Sequence, residues 1–160
     1  MTATSFFRLI ASLALCLGIA TLSARVTYPQ IPTWYASLLK PWWTPPNWAF
    51  PLVWTVLYVM MAVSLWLLWD RAADTAGRRS ALTFFFLQLV LNAAWSPVFF
   101  GLHRPAAALA IIVLLVATIA ATILAAWHTQ RMAAWLLVPY LAWVLYATSL
   151  NLGIVALNSP

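Results

Sequence analysis

Glutamate is missing from this chain, and acid of any kind is scarce: Asp70 and Asp74 are the two acidic side chains in 160 residues. Both lie outside the long apolar runs. No carboxylate therefore sits where a proton-coupled pump would need one inside a membrane. Cysteine is almost absent as well. Cys16 stands alone within an apolar run, which excludes a disulfide framework and a thiolate metal site. Charged residues make up 6% of the chain. No nucleophile–base pair, metal-ligand motif or phosphate-binding loop is present, so hydrolytic and metal chemistry have no support.

What fills the chain instead is apolar: 66% of its residues, with eleven tryptophans among them. So few polar residues cannot coat a soluble domain of this size, so lipid must be the solvent. The net charge of +6 comes from eight scattered basic residues rather than a patch, which argues against nucleic-acid binding. Such residues fit the flanks of membrane spans. The fold class expected is an all-α membrane protein, a bundle of five transmembrane helices in a single domain over 1–160.

Runs of about twenty uncharged residues mark the spans, at about 6–24, 45–69, 80–102, 105–127 and 132–156. Thr21-Leu22-Ser23 also fits a signal-peptide cleavage site. The apolar stretch before it is long for a signal sequence and favours a span. Residues 25–44, rich in proline and aromatics, form a long connection. Connections of this length are usually functional or disordered, and the aromatic content favours a lid that packs on the bundle. Thr44-Pro45-Pro46 reads as the N-cap and first turn of the second span. Asp70, Arg71, Asp74, Arg78 and Arg79 make a short charged loop.

Five spans put the termini on opposite sides. Arg8, Arg71, Arg78, Arg79 and Arg131 then share one side, and Arg25, Lys40 and Arg104 the other. The majority predicts a cytoplasmic N-terminus. His103 and His128 fall at opposite faces, so they cannot clasp one haem iron and read as solvated interfacial histidines. In the fourth span Ala117, Ala121 and Ala125, and beside them Thr118, Thr122 and Ala126, recur every four residues and allow close helix packing. Trp66, Trp69, Trp127 and Trp135 lie near span ends and fit an interfacial aromatic belt.

Three helical faces carry the candidate site. Gln88, Asn92, Trp95, Ser96 and Phe99 share one face of the third span. Amides are costly to expose to lipid, so this face looks inward. For Gln88 alone, helix-to-helix hydrogen bonding is the better reading. Tyr140, Trp143, Ala147, Leu150 and Asn151 form a similar face on the fifth span. Phe50, Trp54, Tyr58 and Met61 do so on the second. At about 1.5 Å per residue, the three faces place their aromatic and amide groups in one layer beneath the long connection. A mostly apolar cavity with a few polar groups is the usual form of a ligand site, and plain core packing is the alternative that spacing does not exclude.

The stretch Trp34-Tyr35 … Lys40-Pro41 … Trp43-Thr44-Pro45-Pro46-Asn47-Trp48-Ala49-Phe50-Pro51-Leu52-Val53-Trp54 … Leu57-Tyr58 resembles the signature of the TspO/translocator protein family. These proteins are also called tryptophan-rich sensory proteins or peripheral benzodiazepine receptors. Gln88-Leu89 … Asn92 … Trp95-Ser96-Pro97-Val98-Phe99-Phe100-Gly101 and Pro139-Tyr140 … Trp143 … Ala147-Thr148 … Leu150-Asn151 match as well. The resemblance covers about residues 10–152.

This resemblance implies a five-helix protein, commonly a homodimer, in a membrane such as the bacterial cell envelope. It implies binding of tetrapyrroles (protoporphyrin IX, haem) and of isoquinoline carboxamides and benzodiazepines, as ligands rather than required cofactors. The implied pocket is Trp48, Phe50, Trp54, Tyr58, Asn92, Trp95, Trp143, Ala147 and Leu150. Arg25, Lys40 and Arg104 are the basic residues nearest for propionate groups. Some members are associated with light-dependent porphyrin breakdown, for which the matching residues are Trp54 and Trp143. Sterol binding is not expected: no basic residue follows Arg131, and Leu152-Gly153-Ile154 stands where the family's sterol motif has a tyrosine. Three functions are thus in play: a porphyrin receptor or carrier, a porphyrin-degrading protein, and a structural membrane protein without a ligand.

Overall fold

The computed structural model describes residues 2–158. It contains five helices long and apolar enough to cross a membrane, and no strand among the described residues. The spans are α1 (Ala3–Thr27), α3 (Ala49–Asp70), α4 (Ala76–Ser96), α5 (Pro105–Trp127) and α6 (Arg131–Asn158). The short helix α2 (Trp34–Ser37) lies in the connection between the first two. The protein is an integral, multi-pass helical bundle. Around the bundle α1 packs on α3, α3 on α6, α6 on α5 and α5 on α4, and α4 returns to touch α1.

Several helix ends differ from the sequence reading. α1 runs three residues past Ala24, to Thr27, and a single 3-10 turn at Tyr28–Gln30 extends it. The second span does not start at Pro45. Residues 44–48 are irregular or turn, and the helix begins at Ala49 with Pro51 in its first turn. The physical reason is the proline pair. Pro46 disfavours helical backbone at Pro45, and the Thr44 hydroxyl donates to the Pro41 carbonyl (2.7 Å) instead of capping a helix. Arg78 and Arg79, expected in a loop, lie in the first turn of α4. Thr75 caps this turn by accepting from the Arg78 amide (3.2 Å).

The end of the bundle that holds the N-terminus is tied by charge. Asp70 accepts from the Ser5 hydroxyl (2.7 Å) and pairs with Arg8 and Arg71, each at 3.1 Å. Arg78 donates to the carbonyls of Leu68 (3.0 Å) and Trp69 (2.9 Å), which the end of α3 leaves without helical partners. Trp66, Trp69 and Trp127 lie at this end beneath the guanidiniums of Arg71, Arg8 and Arg131, at 5.4, 5.6 and 5.1 Å. On α5, Thr122 and Ala126 of the small-residue ladders are fully buried against the neighbouring helices.

Candidate functional site

At the opposite end the helices part around a cavity of about 200 Å³. Phe50, Trp54 and Tyr58 come from α3; Asn92, Trp95 and Ser96 from α4; Trp143, Ala147, Leu150 and Asn151 from α6. Spacings of three and four residues put each set on one helix face. After Ser96 the chain widens into a π-turn at Pro97–Gly101, closed by the Leu102 amide on the Pro97 carbonyl (2.8 Å). Proline has no amide hydrogen to continue the regular ladder. The wider turn buries Phe99 and Phe100, and both join the wall.

The polar groups of the cavity are strung into two chains. Tyr58 donates to Asn92 Oδ1 (2.6 Å), Asn92 Nδ2 donates to the Tyr140 hydroxyl (2.6 Å), and that hydroxyl donates to Gln88 Oε1 (2.9 Å). This chain joins α3, α4 and α6 beneath the cavity, and all four residues are buried. In the second chain Trp95 Nε1 donates to Asn151 Oδ1 (3.2 Å), and Asn151 Nδ2 to the Pro105 carbonyl (2.9 Å). Both polar atoms of Asn92 and Asn151, and the oxygen of Gln88, are thus satisfied across helices, as lipid-facing polar groups could not be. Among the described residues, two buried donors have no protein partner: Gln88 Nε2 and, in the cavity wall, the indole nitrogen of Trp143.

The connection after α1 covers the cavity. Tyr28, Ile31 and Tyr35 face into it. Trp34 stacks on His103 (centroids 4.2 Å apart, planes 12° from parallel) and meets Phe99 edge-on at 5.6 Å. His103 Nε2 lies 2.9 Å from Gln30 Oε1, and its backbone is left-handed, with φ 54°. Farther along, Asn158 pairs with both backbone groups of Leu39 (3.0 and 2.8 Å), and Tyr146 donates to the Trp43 carbonyl (2.6 Å). Pro41 packs on Gly153 of α6, where a Cβ would collide with the proline ring. The cover is tied to the rest of the bundle at separate points between Gln30 and Trp43.

Of the nine pocket residues implied by the resemblance, eight line this cavity: Phe50, Trp54, Tyr58, Asn92, Trp95, Trp143, Ala147 and Leu150. Trp48 does not. It sits in the turn before α3 and is 69% exposed, because the helix starts four residues later than the sequence suggests. Arg25, Lys40 and Arg104 are not in the wall either. Arg25 and Arg104 are exposed, and Lys40 Nζ donates to the Leu38 carbonyl (2.8 Å) and lies 4.9 Å from the Tyr35 ring centre. His103 and His128 follow the π-turn and α5, at opposite ends of the bundle. The sequence reading missed α1. Ala20, Ser23, Ala24 and Thr27 supply a fourth wall, and their only signal was small size at helical spacing.

This arrangement can be set beside known proteins. The TspO/MBR family model matches residues 12–157, nearly the whole chain. The chain belongs to the TspO/MBR family. Among its relatives, the tryptophan-rich protein TspO of Archaeoglobus fulgidus is 39% identical over 155 residues, 97% of this chain and 99% of that one. The tryptophan-rich sensory protein of Cereibacter sphaeroides is 42% identical over 146 residues, 91% of this chain and 88% of its own length. The human translocator protein is 40% identical over 119 residues, 74% of this chain and 70% of its own. TspO/MBR membership accords with the five apolar helices.

Proposed function

We propose that the cavity receives a flat, hydrophobic tetrapyrrole such as protoporphyrin IX or haem. In this reading the protein is a membrane receptor or carrier that regulates porphyrin levels or movement. The observation that carries it is the wall itself: three indoles, Trp54, Trp95 and Trp143, around one covered apolar space, one of them with an unpartnered buried N–H. Indole faces give a planar ring system large contact area at low entropic cost, and a free buried donor favours a ligand that accepts a hydrogen bond. The cavity is smaller than the roughly 300–1,000 Å³ of most ligand sites, so a macrocycle enters by displacing the cover at residues 28–44. Lys40, at the rim of that cover, and the exposed Arg25 and Arg104 are then the cations for ligand carboxylates. Isoquinoline carboxamides and benzodiazepines compete for the same space.

The test is fluorescence titration of the purified protein with protoporphyrin IX. Trp54→Phe and Trp143→Phe weaken binding, whereas Trp127→Phe, at the other end of the bundle, leaves it unchanged. Equal affinities in all three variants refute the pocket assignment. The proposal carries a cytoplasmic N-terminus, supported by the excess of arginine at that end, and a homodimer, which cross-linking in membranes tests.

One observation favours the degradative reading. The Trp54 ring lies 5.7 Å from Tyr58 and 6.3 Å from Tyr140, so oxidisable rings continue from the cavity into the hydrogen-bonded chain. Porphyrin lost faster with protein than without it under light and oxygen, and stable in anaerobic dark, supports it. Loss no faster than that of free porphyrin leaves binding alone.

A further inference from the structure

A second apolar recess lies at the other end of the bundle, on its outer surface. It is formed by Ala11, Ser12 and Leu15 of α1, Leu65 and Trp69 of α3, and Leu82 and Phe86 of α4. Its surface is wholly apolar, since the one hydroxyl present, that of Ser12, donates to the Arg8 carbonyl (2.8 Å). Phe86, Leu15 and Trp69 are exposed, so the groove opens to the lipid.

Helical spacing sets an arginine at the head of two of its walls. Arg8 precedes Ala11, Ser12 and Leu15 by three, four and seven residues, and Arg79 precedes Leu82 and Phe86 by three and seven. α1 and α4 both start at this end. Side chains on a helix lean toward its N-terminus, so both arginines lean out of the apolar layer toward the headgroups. Arg8 is engaged with Asp70 and lies over Trp69. Arg78 is turned to the end of α3 and to Asp74. Arg79 is exposed and, among the described residues, takes no part in the ion pairs at this end. The groove runs about 10 Å along the helices from the level of the arginines, seven residues at 1.5 Å each.

We propose that this groove holds one acyl chain of an anionic phospholipid, whose phosphate is bound by Arg79 with Arg8 beside it. The charge of the rim selects the headgroup: Arg8 is paired with Asp70 and Arg78 with Asp74, whereas Arg79 has no acidic partner among the described residues. A basic residue at the membrane surface favours an anionic lipid by about fivefold, and Arg79 supplies one uncompensated charge.

The test uses the full chain in detergent. It is titrated with phosphatidylglycerol or phosphatidylcholine of identical acyl chains, with bound lipid counted by native mass spectrometry and thermal unfolding followed in parallel. The wild type binds phosphatidylglycerol about fivefold more tightly, and Arg79→Gln brings the two lipids to parity. Ala11→Phe, which fills the groove, removes both. The Arg79 side chain is exposed, so its substitution leaves the fold intact and decides the matter even if Ala11→Phe misfolds. A preference that survives Arg79→Gln overturns the proposal, as does an equal effect of glycerol 3-phosphate without acyl chains. Loss of a dimer in Ala11→Phe overturns it in favour of a second copy of the chain in the groove.

Discussion

Replacing Tyr140 with phenylalanine removes one oxygen from the middle of the chain that joins α3, α4 and α6. That hydroxyl accepts from Asn92 Nδ2 (2.6 Å) and donates to Gln88 Oε1 (2.9 Å), and its residue is fully buried. Two hydrogen bonds are lost while the ring keeps its packing. Hydrogen bonds between membrane helices average about 0.6 kcal/mol and reach about 1.7, so the pair is worth about 1–3 kcal/mol. The upper part of that range is expected, because the loss leaves both polar atoms of the Gln88 amide and the Asn92 Nδ2 donor buried without a partner. Tyr146→Phe is the comparison. The Tyr146 hydroxyl donates to the Trp43 carbonyl near the surface (2.6 Å), where water or a headgroup replaces it, and the expected cost is under about 0.5 kcal/mol. Unfolding in mixed micelles with increasing dodecyl sulfate, followed by tryptophan fluorescence, measures both. A Tyr140→Phe protein as stable as wild type, or less affected than Tyr146→Phe, refutes the claim that this chain holds the floor together.

Two further variants probe the cover. His103 has left-handed backbone, so His103→Gly and His103→Ala both lose the Trp34 stack but glycine avoids the backbone penalty; the glycine variant should be about 1 kcal/mol the more stable by the same assay. Gly153→Ala puts a methyl group against the Pro41 ring. It should cost about 1–3 kcal/mol and speed amide exchange at residues 38–44, with that of α5 unchanged. Protoporphyrin IX dimethyl ester should bind less tightly than the free diacid, and Lys40→Gln should narrow the difference; a difference unchanged in that variant removes Lys40 from the carboxylate site.

The spans were legible because uncharged runs of twenty residues have one economical fate in lipid. Two inward faces could be read as well, since Gln88 and Asn92 on α4 and Asn151 on α6 are too polar to face hydrocarbon and their helical neighbours follow by geometry; the third, on α3, rested on aromatic spacing alone. Helix ends were less legible where prolines cluster. Thr44-Pro45-Pro46 has the composition of a helix start, yet the chain defers the helix to Ala49, and that delay leaves Trp48 outside the cavity. The wall from α1 was silent for a different reason. Ala20, Ser23, Ala24 and Thr27 act by being small, and small residues in a membrane helix signal close packing as readily as open space. Likewise nothing in the sequence around Pro97 distinguishes a π-turn from a kink, although the turn brings Phe100 into the wall beside Phe99.

The most direct test of the cavity as a ligand site is an equilibrium titration of protoporphyrin IX into wild type and Ala147→Phe, at two detergent concentrations. Ala147 is small, lies in the wall, and packs on the core beside Trp143's helix face, so a phenyl ring there occupies the space a ligand would take. Binding that saturates at one porphyrin per chain, is independent of the amount of detergent, and is lost in a folded Ala147→Phe protein is the predicted result. Uptake that grows with detergent volume without saturating, or saturable binding that persists undiminished in Ala147→Phe, would contradict it.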